Sequence, residues 1–245
     1  MKTALYLLLL LGVLCCKKDL SDTVEPEYQD WYTLKSPIDE VIQGVWGDWD
    51  KTLLIATTFN IFRSTDQGKN WQEVGGQQSG ITGIIEYRDT IFAMNGLLNG
   101  QDTQVFVNAG RYSVDDGKSW TPYRKVNLFF DKWPAIDPVT HRQLYANPVI
   151  ASNGVSYKIN QVFVDSPTAT SGHFETPGVI TSNGRKIALP QLHQLRSLYL
   201  DSKQRLYISG TDAVCGRGGK TGEPFSFCNS REGRGVVYIS KNPLP

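Results

Sequence analysis

The sequence predicts an all-β chain assembled from a repeated antiparallel unit, on three observations. Short runs of β-branched and aromatic residues recur along the 245 residues, each bounded by Gly, Asn, Asp or Pro. No segment sustains a helical period. One octapeptide pattern, Ser-x-Asp-x-Gly-x-x-Trp, occurs twice, from Ser64 to Trp71 and from Ser113 to Trp120. In each copy Ser and Asp can bond nearby backbone amides and close a turn. Gly supplies a positive φ, and Trp starts the return strand as a packing anchor.

The elements follow in chain order. Lys2 is the one charge before the apolar stretch Ala4 to Leu14, which is too short to span a bilayer and reads as an export signal. Val13-Leu14-Cys15-Cys16-Lys17 follows it and resembles a bacterial lipobox. That resemblance implies cleavage after residue 15 and lipidation of Cys16, since a cut before Cys15 would place bulky Leu14 at the cleavage site. Acyl chains on Cys16 would hold the chain on a membrane, with the outer membrane of the bacterial cell envelope as the expected address. Residues 16–30, charged and poor in apolar groups, read as a tether, and 31–245 as one domain. Strands are expected at Ile42 to Trp46, Thr52 to Thr58, Ile81 to Tyr87, Thr90 to Met94, Gln104 to Val107, Ser197 to Leu200, Arg205 to Ser209 and Gly235 to Ile239. Hairpins are expected around Arg88-Asp89 and around Asp201 to Arg205.

From Asp66 to Asp115 is 49 residues, near the period of a four-stranded propeller blade. Gln161 to Ser166 echoes Gln104 to Ala109, and Phe174 falls where the aromatic anchor of a worn third copy would lie. Gly235 to Asn242 reads as a strand leading into such a turn, and Trp31 to Leu34 as the strand that should follow one. The expectation is a small β-propeller of four-stranded antiparallel blades, four or five in number, closed by pairing of the N- and C-terminal strands.

The two octapeptides resemble the Asp-box of bacterial neuraminidase repeats, which sits on the outer hairpins of propeller blades. By that resemblance Ser64, Asp66, Gly68, Trp71, Ser113, Asp115, Gly117 and Trp120 are structural turn residues and none is catalytic. It also raises a sialidase-like glycoside hydrolase as an alternative function. Against that, Ile61-Phe62-Arg63-Ser64 runs directly into the first turn, which places Arg63 on a hairpin. Asp48 and Asp50 read as a hairpin loop. No catalytic residue, cofactor or metal site is predicted.

Cys215 and Cys228 bracket a Gly-rich insertion, and export makes a disulfide the first reading. Closing that loop would contribute roughly 3 kcal/mol on the chain-entropy model. With Lys and Arg totalling 25 against 24 acids, the balance gives no case for nucleic acid. The expected function is a monomeric envelope binding module whose propeller loops grip a glycan or a protein, with Trp49, Trp133 and Arg217 as candidate contacts. An accessory envelope role without a small ligand is the further alternative.

Overall fold

Apolar residues of this chain are concentrated in strands that need cover on both faces, and the fold supplies it by packing three antiparallel sheets together. The computed structural model describes residues 28–99, 103–123, 144–166, 168–169, 172–216, 226–228 and 234–244. The signal stretch, Cys16, nearly all of the tether, Trp133 and Arg217 lie outside them.

The chain enters through β1 (Trp31–Lys35) and then builds a four-stranded sheet in simple order from β2 (Gly44–Gly47), β3 (Leu53–Ala56), β4 (Asn60–Ser64) and β5 (Gln72–Gly76). All four residues of β3 are buried, as a central strand with both faces covered requires. The next sheet holds β6 (Gly83–Tyr87), β7 (Thr90–Asn99), β8 (Gln104–Ser113), β9 (Thr121–Pro122) and β10 (Tyr145–Asn147). Its first hairpin turns at Arg88 and Asp89, both at positive φ (49° and 58°), the twist that a two-residue hairpin needs.

The two octapeptides close equivalent turns, β4 to β5 and β8 to β9. Ser64 Oγ donates to Asp66 Oδ1 at 2.8 Å and accepts from the Gly68 amide at 3.0 Å, while Asp66 accepts from the Asn70 amide at 2.9 Å. Ser113, Asp115, Gly117 and Ser119 repeat the pattern at 2.8, 3.0 and 3.0 Å. Gly68 and Gly117 have φ of 78° and 74°, the left-handed region that glycine enters most cheaply. Each also lies against a leucine of the preceding sheet: an added Cβ would meet Leu34 at 2.5 Å and Leu54 at 2.6 Å. The turn thus closes a hairpin and seats it on its neighbour. Trp71 packs with Leu34 and Val45 in one seam, and Trp120 with Leu54 and Ile84 in the next.

The rest of the chain departs from the blade pattern. β11 (Val149–Ile150), β12 (Ser156–Phe163), β13 (Phe174–Thr181), β14 (Lys186–Leu200), β15 (Leu206–Gly216), β16 (Ser226–Phe227) and β17 (Val236–Ser240) join β1 in one eight-stranded sheet, ordered β1-β17-β15-β14-β13-β12-β11 with β16 on β15. The expectation of a closed four- or five-bladed propeller is therefore wrong, and so is membership of the Asp-box propeller group. The physical reason is continuity of pairing. Phe174, expected to mark a separate blade, pairs with Phe163 inside the same sheet, and the β12–β13, β13–β14 and β14–β15 ladders follow without a break between blades. The terminal strands do pair, Trp31 with Ser240, but they do so at one end of this large sheet, and no ring results. Register shifts at Asn160–Val162, Thr176–Gly178 and His193–Ser197 bend the sheet along its length.

Candidate functional site

The inner strands of the three sheets converge, with β2 against β6 and β14, and β10 against β12 and β14. Between them lies a cleft of about 560 Å³, within the usual range for a small-molecule site. Gln43 reaches it from the segment before β2, Thr82 from the segment before β6, and Leu97 and Gln104 from the β7–β8 hairpin. The large sheet completes it with Ile159 and Gln161 of β12, Thr176 of β13, and Gln194, Leu195 and Arg196 of β14. Consecutive residues of one strand normally face opposite ways. Here the register shifts on both sides of Leu195 allow three neighbours to share one wall.

Some of the polar groups in this wall are already engaged. Thr176 Oγ1 donates to the His193 carbonyl at 2.6 Å and accepts from the Leu195 amide at 2.9 Å, which pins the irregular part of β14. Asn147 Oδ1 accepts from the Ile159 amide at 3.0 Å, and Gln104 Nε2 donates to Asn99 at 3.0 Å. At the rim His173 takes two contacts from Asp165, at 3.0 and 3.3 Å. Others are not engaged. Among the described residues the side chains of Gln43, Gln161, Gln194 and Arg196 have no hydrogen bond or ion pair. Arg196 is exposed on its strand, yet protein surrounds it closely enough that burial lowers its pKa from the usual arginine range. Both facts fit a guanidinium that looks out through the cleft mouth. It remains charged at any physiological pH.

A second groove of about 720 Å³ runs between β5 and the β8–β9 pair, lined by Phe59, Gln77, Gly110 and Arg111 among others. Arg111 donates to the Trp120 carbonyl and Gln77 to the Gly80 carbonyl, while Gln77 Oε1 is buried without a hydrogen-bond partner among the described residues. The one charged side chain among its described lining residues is thus already engaged, unlike Arg196 of the cleft.

Trp49, one of the sequence-predicted contacts, lies elsewhere. Trp49 is half-buried and stacked on Tyr32, with ring centroids 4.4 Å apart and planes 8° apart, and its backbone amide donates to the Tyr207 hydroxyl at 2.8 Å. Trp133 and Arg217 fall outside the described residues. The Cys215–Cys228 disulfide is present, joining β15 to the turn just after the short β16 strand with the Cα atoms 4.8 Å apart. Arg63 sits on β4 and reaches Asp116 of the second turn at 3.0 Å.

Among the described residues an arginine and several carboxylates do converge, away from the cleft. Buried Arg205 holds Asp201 at 2.6 Å and Asp48 at 2.7 Å, with Asp50 at 3.0 Å, and Tyr207 donates to Asp201 at 2.9 Å. Burial alone would lower the Arg205 pKa, but the Asp201 hydrogen bond and the carboxylate charges outweigh it and the net direction is up. The cluster joins the β14–β15 turn to the β2–β3 turn and is a structural fastening. Among the described residues the cleft lining contains no carboxylate, and the glycoside hydrolase alternative, expected on a propeller frame that does not form, is also wrong. The propeller-mouth binding role for a glycan or envelope protein falls with the ring that was to supply the mouth. Among the described residues no group of three or more His, Cys, Asp or Glu is placed to hold a metal.

Sequence reasoning missed Gln43, Gln161, Gln194 and Arg196. They come from three separated segments, and the bulged pairing that aims the β14 residues leaves no period in the sequence. The partial signal was Gln194-Leu195-Arg196 itself, polar residues two apart in a strand with no turn chemistry beside them.

No protein-family model matches the chain, and no curated protein matches it. Among solved structures it is similar to one described as YCF48 bound to D1 peptide, at 11% identity and a TM-score of 0.27, covering 86% of this chain and 73% of that one. A likeness that slight carries no argument about fold or ligand.

Proposed function

We propose that this chain captures a small polar molecule in the cleft between its three sheets and holds it without chemical change. The observation that carries the reading is the unspent polarity of the wall. Three glutamine amides and one guanidinium lack partners among the described residues, beside apolar groups from Leu97, Ile159 and Leu195. Apolar walls with a few convergent polar groups are the usual make-up of a ligand site. Each primary amide offers two donors and one carbonyl acceptor, so the wall can match a ligand rich in both. Among the described residues the lining has amides and a guanidinium in place of the paired carboxylates of a glycosidase, which suits recognition better than conversion.

The chain would do this outside the cytoplasm, tethered through lipid on Cys16. The Cys215–Cys228 bridge supports an oxidising compartment, where such bonds persist. Replacing Cys16→Ala should release the protein from the membrane fraction and abolish labelling with radioactive palmitate. Retention of label in that variant would refute the anchor.

The site is tested by a fragment screen on 15N-labelled protein, following the side-chain amide signals of Gln43, Gln161 and Gln194. Hits should move these three signals together, compete with one another, and weaken in Gln161→Leu and Gln194→Leu. Hits that scatter over the surface would refute the cleft as the site.

A further inference from the structure

We infer that the molecule held in the cleft carries a carboxylate, seated on Arg196. This rests on the cleft being the binding site and adds the charge class of its ligand.

Consider what the wall provides electrically. Arg196 is the one permanently charged group among the lining residues. Among the described residues no carboxylate reaches it, although seven Lys or Arg contacts with acids and the His173–Asp165 pair show that such partners are easily found on this fold. A guanidinium that lines the cleft without an anionic partner can give an arriving anion charge-assisted hydrogen bonds, which are roughly twice as strong as neutral ones. The protein has placed the charge against glutamine amides, which can donate beside it but cannot neutralise it.

The same census separates carboxylate from phosphate. A planar guanidinium matches one carboxylate with two parallel hydrogen bonds and balances its single charge. A phosphate dianion would need a second cation. The nearest titratable candidate in the lining, His173, is already taken up by Asp165, whose negative charge stands at the rim. The remaining donors and acceptors of Gln43, Gln161 and Gln194 suit a second polar group on the ligand. Leu97, Ile159, Leu195 and Phe174 can cover the short carbon chain between the two ends.

The test uses four probes of known chemistry on the folded chain: glutarate, glutaramate, glutaramide and inorganic phosphate. The first three are nearly isosteric and differ in having two, one and no carboxylates. Glutarate and glutaramate should shift the Arg196 Nε signal together with the three glutamine amides. Both should bind about tenfold or more weakly to Arg196→Gln, the size expected for losing a charge-assisted pair. Unchanged urea unfolding of Arg196→Gln would show that the variant remains folded, and Arg196→Lys should recover only part of the affinity. If glutaramide binds as well as glutarate and moves the same amides, the carboxylate inference fails while the cleft stands. Phosphate binding more tightly than either acid would also overturn it. If no probe moves any cleft signal, and the fragment screen finds nothing there, the inference and the site reading fall together.

Discussion

The two octapeptide hairpins and the eight-stranded sheet solve the same problem, joining β-sheets face to face, by opposite means. In the first, local turn chemistry repeats almost atom for atom, and the contact across to the next element is made by a pair open to solvent on one side, half-buried Arg63 and exposed Asp116. In the second, the turns at residues 151–155, 181–185 and 201–205 share a backbone pattern of their own, and the contact to another sheet is made by buried charge, with Arg205 locked to Asp48 and Asp201. The difference teaches where stability and function each reside. The regular half is assembled from parts that each fold on a local rule. The irregular half carries the bulged strand that lines the cleft.

Charge burial sets the largest expected effect. Arg205→Ala should cost about 3–5 kcal/mol in urea unfolding, because two buried carboxylates would lose their counter-ion. The matching change in the regular half, Arg63→Ala, should cost about 1 kcal/mol or less, since Asp116 is well exposed to solvent. Equal costs for the two would dissolve the contrast.

The turns come next. Ser64 and Ser113 are buried, and each bonds an aspartate and a glycine amide. Removing either hydroxyl leaves the glycine amide without that partner, so Ser64→Ala and Ser113→Ala should each cost about 1–2 kcal/mol. The two values should agree closely, since the geometry does. A large gap between them would mean that the leucine seat beneath each glycine, rather than the hydroxyl, holds the turn.

This contrast also explains how much could be read in the sequence. The all-β character, the hairpin at Arg88–Asp89, the hairpin between β14 and β15 and the disulfide all depend on residues close in sequence, and their side-chain types announce them. The repeat at Asp66 and Asp115 was equally visible, but it was carried too far. Two equivalent hairpins suggested a ring, whereas sheet continuation past Phe174 depends on backbone pairing between β12, β13 and β14, which no residue type specifies. Arg205 reads as the end of a turn, and nothing near it in sequence reveals that Asp48, 157 positions away, will supply its partner. Arg196 was hidden for a related reason. Its significance lies in what it lacks, and an absent partner cannot be seen until the sheets are assembled.

The smallest and most diagnostic effects come with acid, where the two regions should respond in different windows. Asp66 is held down at about 2 by the Asn70 side chain and amide and by Ser64, and Asp115 at about 2 by Ser119 and Ser113. Both pKa values lie below the ordinary 3.8, so the stabilisation they provide is present above that value and is lost as pH falls from it toward about 2. His193 of the large sheet lies between the Thr211 carbonyl at 3.0 Å and the Tyr238 hydroxyl at 2.9 Å, with Asp212 and Lys35 facing it. Burial lowers its pKa below 6.5 despite the pull of Asp212, so the unfolded chain takes up a proton first. Its contribution is complete above pH 6.5 and is lost as pH falls below that value. Unfolding midpoints followed from about pH 7 down to about pH 2 should therefore fall in two limbs. His193→Gln should flatten the upper limb and leave the lower one, while Asp66→Asn with Asp115→Asn should leave the upper limb and make the lower one shallower, its remainder coming from Asp48, Asp50 and Asp165, whose pKa values are also lowered. If His193→Gln leaves the upper limb intact, the acid sensitivity of the large sheet does not arise from that buried histidine, and the two regions differ in stability without differing in how they sense pH.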